Sequence, residues 1–251
     1  MSFSTIINAL AIPKEALVEQ RVPKKLLLEQ GVPTAADKRQ VQDGIEDLIW
    51  VAALKATNVG VPAFRDVVRE YLEIAVLTLA LRPSAKPPRL IELIHRAIPY
   101  PLVLVTQHAG ALNLSLSHKR WSQGEGGKVV VEALRQVAIN PDVLGVEDYA
   151  FLSSLALSQL PARDLFALYD GLAERLAALE AARITGKYAT PGSAQRAMAL
   201  RDGLDRHAQL KRDLAILRSR ADKEKQINRR VELNTDIKRL GAELAATQKT
   251  L

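Results

Sequence analysis

The sequence predicts an α+β protein: a small mixed β-sheet flanked by helices, followed by a long C-terminal antiparallel helical hairpin or coiled coil. Three observations carry that class. Between Tyr71 and Ala133, short apolar runs and one strictly alternating run are punctuated by proline and glycine turns. Beyond Pro141, leucines recur at spacings of three and four residues almost to the C-terminus. Charge divides along the same line: residues 183–251 hold sixteen Lys/Arg against eight Asp/Glu, and residues 1–182 hold nineteen against twenty, so the last third carries all of the net charge of +7. The expected organisation is a core with N-terminal helices over 1–140, a helical connector with the first coiled-coil helix over 141–188, and a basic helical arm over 189–251.

The first thirty-three residues read as short helical pieces punctuated by Pro13, Pro23 and Pro33, with Pro23 suited to the first turn of a helix through Leu28. Thr34 and Asp37 form a capping pair, and Val41, Ile45, Leu48 and Ile49 behind them sit at helical spacing, which predicts one amphipathic helix over 34–48. Trp50 to Lys55 fits either a buried strand or a continuing helix. Tyr71–Leu81 is an apolar strand stopped by Arg82-Pro83, and Arg89–Ile98 is a helix that ends before Pro99. Pro101–Thr106 and Ala111–His118 are two strands joined at His108-Ala109-Gly110. In the second, Leu112, Leu114 and Leu116 alternate with Asn113, Ser115, Ser117 and Lys119, which predicts one face on the core and one in water. Lys128–Ala133 reads as a further strand.

In the helical part, Leu165, Leu168, Leu172, Leu176 and Leu179 make a coiled-coil seam. Gly186 to Gly192 breaks it. A second helix continues the seam through Leu200, Leu204, His207, Leu210, Leu214, Leu217 and Ala221. Ile227, Val231, Asn234, Ile237, Leu240 and Leu244 are expected to resume it in a shifted phase. A stutter in one helix and a turn between two both explain the slip. Unbroken, 194–249 would span about 80 Å.

Composition narrows the function classes. There is no cysteine, which excludes disulfides, thiolate nucleophiles and cysteine-bound metals. The start lacks the charge and apolar length of a signal peptide and no run approaches a membrane span, so a cytoplasmic protein without membrane contact is expected. Aromatic residues are 4% of the chain, which leaves few platforms for stacking bases. The basic excess points to phosphate, acidic protein surfaces or anionic lipid. His95, His108, His118 and His207 show no ligand spacing, so no metal is assigned. Glu73 is the only acid in the 72–81 strand and no Glu-x-Lys follows it, so no catalytic residue and no cofactor are assigned either.

Two segments are candidates for binding. Ser117 to Trp121 followed by the glycine-rich 124–128 places Lys119, Arg120 and Lys128 where a phosphate can be held, although the Walker spacing is missing; the alternative is a hairpin loop without a ligand. EKQINRRVELN at 224–234 concentrates amides and charges around two apolar residues. On a helix Lys225, Arg229 and Glu232 share one side, and Ile227, Val231 and Asn234 another. Lys225, Gln226, Asn228, Arg229, Arg230, Glu232 and Asn234 are the candidate docking residues for a partner protein, with Arg229 and Arg230 also placed to meet a nucleic-acid backbone. A coiled-coil turn with internal salt bridges is the competing account.

VPKK at 22–25, IEDLIW at 45–50, LEIAVLTLAL at 72–81, RLIELIHRAIPYPLVLV at 89–105 and EKQINRRVELN together resemble the bacterial family called domain of unknown function 4391. The resemblance runs from near the start into the arm. It brings no enzyme activity. Leu77-Thr78-Leu79 is uncharged where the family pattern often carries acids or lysines. The resemblance implies a genomic setting beside DNA methyltransferases and helicases in restriction-modification or phage-defence clusters. The expected role is therefore a non-enzymatic accessory or adaptor subunit in a DNA-processing assembly, with a methyltransferase or helicase subunit as partner. The runner-up is a module that binds DNA or RNA directly through the basic arm, and the third reading is a degenerate nuclease. A homodimer through the coiled coil stays open.

Overall fold

Helix and strand alternate from Ser4 onward in a computed structural model that describes residues 3–30, 34–124 and 129–251. Helix α1 (Ser4–Ala9) and a 3-10 turn lead into strand β1 (Leu17–Arg21), and α2 (Lys24–Gln30) follows Pro23. Thr34 caps α3 (Ala35–Arg39): its hydroxyl oxygen accepts from the Asp37 amide at 3.1 Å, and the hydroxyl donates to the Asp37 carboxylate at 2.9 Å. The helix predicted over 34–48 ends there. A wide π-type turn (Gln40–Gly44) intervenes, and strand β2 (Ile45–Lys55) begins at Ile45.

The misreading has a cause in β2 itself. Its pairing shifts register between Ile45 and Asp47 and again between Trp50 and Ala52. The first bulge inserts a residue between Ile45 and Leu48, so these two pack against the same core, with Trp50 beside them, although they stand three apart. The apolar positions 41, 45, 48 and 49 imitate a helix for that reason.

After α4 (Ala56–Val59) come the short strands β3 (Phe64–Arg65) and β4 (Glu70–Tyr71), then β5 (Glu73–Leu81), α5 (Pro87–Ala97), β6 (Leu102–His108) and β7 (Ala111–Ser117). Strands β8 (Lys119–Trp121) and β9 (Val129–Val131) pair with each other, and β10 (Arg135–Ile139) follows. The main sheet has six strands in the order β1-β2-β5-β6-β7-β10. Only β5 and β6 run parallel, and α5 makes the crossover between them. The expected small mixed sheet is present, with three differences. The segment 17–21, read as helical, is the edge strand β1, held by pairing Gln20 with Trp50 and Arg21 with Ile49. Strand β10 was not expected. Of the strand expected over 128–133, Val129–Val131 pairs with β8 rather than with the main sheet, and Lys128 lies outside the described residues.

Helix α5 closes one face of this sheet. Pro87 and Pro88 occupy its first positions, and Leu90, Ile91, Leu93 and Ile94 pack on Leu77, Leu79, Leu102 and Leu104. The same helix overturns the wet face predicted for β7. Ser115 and Ser117 are buried, because Ser115 Oγ meets His95 Nε2 at 3.0 Å and Ser117 Oγ donates to Glu132 O at 2.9 Å. These two serines are satisfied inside the protein instead of by water, whereas Asn113 Oδ1 in the same row is buried without a hydrogen-bond partner. Leu112, Leu114 and Leu116 line the opposite face beside Val137 and Ile139.

Helices α6 (Val146–Ser154), α7 (Leu165–Thr185), α8 (Ala194–Lys223) and α9 (Ile227–Thr250) complete the chain. The seam leucines of α7, from Leu165 to Leu179, are buried. Tyr169 fastens α7 to the sheet: its hydroxyl accepts from Ser117 N at 2.9 Å and donates to Leu102 O at 2.8 Å. The chain divides into two compact units, Met1–Leu176 and Ala177–Leu251. In the second, Ala177, Ala181 and Leu204 form a small core with Leu200, Ile184 and Leu251 beside it.

Helices α8 and α9 form an antiparallel hairpin, so 194–249 is two helices joined at 224–226. Arg206 pairs with Glu243, and His207 meets Gln248 at 3.3 Å. Leu204, His207, Leu210, Leu214 and Ala221 are buried as the seam predicts. The expected phase of α9 needs correcting at its start. Leu233, Ile237, Leu240 and Leu244 are the half-buried positions, whereas Ile227, Val231 and Asn234 are exposed. The turn resets the helical phase, so the seam of α8 does not dictate which side of α9 faces inward. Among the described residues no helix is long and apolar enough to cross a membrane.

Candidate interaction surface

The unit Ala177–Leu251 holds sixteen Lys/Arg against nine Asp/Glu, which is the whole net charge of +7. At the closed end of its hairpin the chain turns sharply. Glu224 ends α8, and its carboxylate accepts from the Gln226 amide at 2.8 Å. Ile227 then opens α9, whose first bond runs from Arg230 N to Gln226 O at 3.0 Å. Lys225 and Gln226 therefore belong to the turn, ahead of the helix on which they were expected. Asn228, Arg229 and Arg230 occupy the first helical turn.

Two sides result. Arg229 and Glu232 line an open groove of about 490 Å³ together with Arg220, Lys223, Glu224, Leu233 and Asp236. On another side Ile227 and Val231 stand 68% and 59% exposed, with Asn234 in the same helical row. Among the described residues, the side chains of Arg218, Arg220, Lys223, Lys225, Arg229 and Arg230 take no ion-pair or hydrogen-bond partner. The first turn of α9 holds no acidic residue and its N-cap, Gln226, makes no side-chain cap. Arg229 and Arg230 thus sit at the positive end of the helix dipole, an unfavourable place for cations. The arrangement can accept anionic groups and shield an apolar surface.

The basic loop does not assemble in this way. Lys119 is 3% exposed; its ammonium donates to His95 O at 2.8 Å and to Ile98 O, where it closes the C-terminal end of α5. Burial pushes its amine down to about 7. It is unavailable to a phosphate. Arg120 is spent on Glu132 at 3.9 Å, a carboxylate that also takes Arg69 at 3.4 Å. Lys128 lies outside the described residues.

Glu73 starts β5 and pairs with Lys55 at 3.1 Å. Among the described residues no group of three or more His, Cys, Asp or Glu can hold a metal. His95 is enclosed with its ring held near pH 3 by burial and by the nearby Lys119 charge. His118 bridges Tyr71 Oη at 2.6 Å and Asp170 Oδ1 at 3.2 Å. Sequence reasoning missed that relay, since forty-seven and fifty-two residues separate its members and no local spacing marks it.

A second feature was also missed. Val22, Pro23, Leu26, Trp50, Pro99 and Tyr100 line a mostly apolar cavity of about 390 Å³, with the Trp50 and Tyr100 rings 5.9 Å apart. Three of the motif segments, VPKK, IEDLIW and AIPYP, converge on it from distant parts of the sequence. Arg21 stands at its rim, already paired with Asp47 at 2.7 Å.

Comparison with known proteins adds one finding. A family model described as "Domain of unknown function (DUF4391)" matches residues 10–244, nearly the whole chain. No curated protein and no solved structure matches.

Proposed function

The chain belongs to the DUF4391 family, and from the surface it presents we propose that it is a non-enzymatic adaptor that docks a partner protein on the closed end of its α8–α9 hairpin. The observation that carries this reading is the occurrence, at one end of the hairpin, of six unpaired cations and two exposed apolar side chains, in the unit that holds all of the net charge. A solvated coiled-coil end needs neither feature. Arg218, Arg220 and Arg229 have Asp222, Glu224 and Glu232 at i+3 or i+4 and yet close no ion pair with them, and exposed β-branched residues cost helix propensity without return. A DNA-processing assembly with a methyltransferase or helicase subunit is the proposed setting, consistent with the genomic neighbourhood the resemblance implies.

Affinity purification of the full chain from its native host at moderate salt, with mass spectrometry, tests the reading. The parent chain is expected to bring down a stoichiometric partner, and the triple variant Lys225→Glu/Arg229→Glu/Arg230→Glu to lose it. Retention of that partner by the triple variant refutes docking at this end.

The same cations favour one competing reading, direct contact with a nucleic-acid backbone. It requires binding to a bare 30-base-pair duplex whose affinity falls with a log–log salt slope near −5, about 0.9 per phosphate for six cations. Glu224, Glu232 and Asp236 in the groove oppose a polyanion there.

A further inference from the structure

Resting on that reading, we infer that the occupant of the hairpin end is an acidic amphipathic helix of the partner, which lays its apolar face on the Ile227–Val231 row. Ile227, Val231, Asn234 and Lys238 recur at i, i+4, i+7 and i+11, so they form one straight ridge along α9. Ile227 and Val231 are the two exposed large apolar residues of that helix. Arg230 lies three residues beyond Ile227 and flanks the ridge, and Lys238 ends it, so cations border the apolar pair. Arg230 and Lys238, like the cations of the turn, take no ion-pair partner, whereas Arg239 pairs with Asp236 at 3.5 Å.

That combination selects among occupants. A phosphate backbone gains nothing from covering isoleucine and valine. The unit also has a single aromatic residue, Tyr188, which leaves no row of platforms on which bases stack. A second copy of this chain would bring the same uncompensated positive charge against its own. An acidic partner satisfies both features at once. An apolar stripe at helical spacing fits the ridge, and carboxylates on its flanks meet Arg230, Lys238 and the cations of the turn.

The test uses the full chain and a synthetic eighteen-residue alanine-based helical peptide with leucines at i, i+3, i+4 and i+7 and glutamates flanking them. A peptide with lysines in place of the glutamates and a 30-base-pair duplex are the comparison probes. Fluorescence anisotropy at two salt concentrations is expected to show the acidic peptide binding at least tenfold tighter than the lysine peptide. Val231→Asp is expected to weaken it at least tenfold. Arg230→Glu/Lys238→Glu is expected to invert the preference, so that the lysine peptide binds better. All of these positions are exposed, and unchanged circular dichroism confirms that the variants fold. Equal binding of both peptides overturns the inference. So does duplex binding that is tighter than peptide binding and indifferent to Val231→Asp, or a reversible dimer in sedimentation that Val231→Asp abolishes. A native partner that the triple charge reversal still releases, alongside failure of the acidic peptide, removes this inference and leaves the docking reading standing. Retention of the partner removes the docking reading itself.

Discussion

Replacing Lys119 with methionine is expected to flatten the pH dependence of stability between pH 7 and pH 9. Burial lowers the amine from 10.5 to about 7 in the fold, so across this window the unfolded chain holds a proton that the folded chain has released. More protons on the unfolded state mean that stability rises with pH, by up to about 1.4 kcal/mol per unit. Starting half-titrated at pH 7, the group contributes about 2 kcal/mol of added stability by pH 9. At 3% exposure solvent screens little of this. The hydrogen bonds to His95 O and Ile98 O favour the ammonium and make that figure an upper bound. Urea unfolding followed by circular dichroism at pH 7, 8 and 9 and constant ionic strength measures the slope. Methionine fills the same channel but cannot titrate, so its loss of the two hydrogen bonds appears as an offset without slope. Lys24, also lowered by burial, shifts stability in the same sense and leaves a smaller residual slope. Tyr71 and Tyr169 hold their protons above the ordinary range, so they act only beyond pH 10 and with the opposite sign. An unchanged slope in Lys119→Met would refute the assignment of the buried amine.

Three further outcomes follow from the same core. His95 titrates near 3 in the fold against 6.5 when exposed, so the unfolded chain binds the proton first and stability falls as pH drops from 6.5 towards 3, by about 1.4 kcal/mol per unit at most; in acid unfolding monitored by circular dichroism, His95→Gln should show a shallower decline. Arg89 grips Asp37 with two bonds of 2.8 Å, which with the Thr34 hydroxyl holds that carboxyl at about 2. Asp37→Asn should lower the melting temperature at neutral pH, and the difference from the parent, fully present above the ordinary value of 3.8, should close as pH falls through 2. Gly44→Ala places a Cβ 2.9 Å from Leu90 Cδ1 and 3.2 Å from Ala85 Cβ, and the resulting overpacking should cost about 1–3 kcal/mol in urea unfolding.

Elements whose stabilising contacts repeat locally were legible. Helix α5 shows its buried face at a clear helical period, and β6 and β7 are bounded by Pro101 and by the His108-Ala109-Gly110 turn. Elements shaped by distant partners were not. Strand β1 is a mostly exposed run that becomes a strand because β2 offers an edge. The serines of β7 looked solvated because nothing near them in sequence announces that His95 and Glu132 will satisfy them. Lys119 was read as a surface cation for the same reason. The docking residues were legible by composition, yet their phase was not, since the break at 224–226 decides which side of α9 points outward. The Trp50–Tyr100 cavity joins residues fifty apart, beyond the reach of any spacing argument.

The charge pattern of α9 yields a last prediction, in which stability and binding should move in opposite directions. Its first turn carries Arg229 and Arg230 against the positive end of the helix dipole, with no acid to offset them. Placing an acid there is the ordinary remedy and is worth about 0.3–1 kcal/mol at an exposed site. Asn228→Asp supplies one without altering shape, so it should raise the stability of the hairpin by that amount. The same carboxylate competes for Arg229 and Arg230 and repels an acidic partner, so it should also weaken capture of the native partner and of the acidic peptide. A chain that retains an uncompensated first turn has given up stability at this end, and sites of function are where such a loss is kept. If Asn228→Asp stabilises the protein and leaves both binding measurements unchanged, the bare first turn has no bearing on recognition.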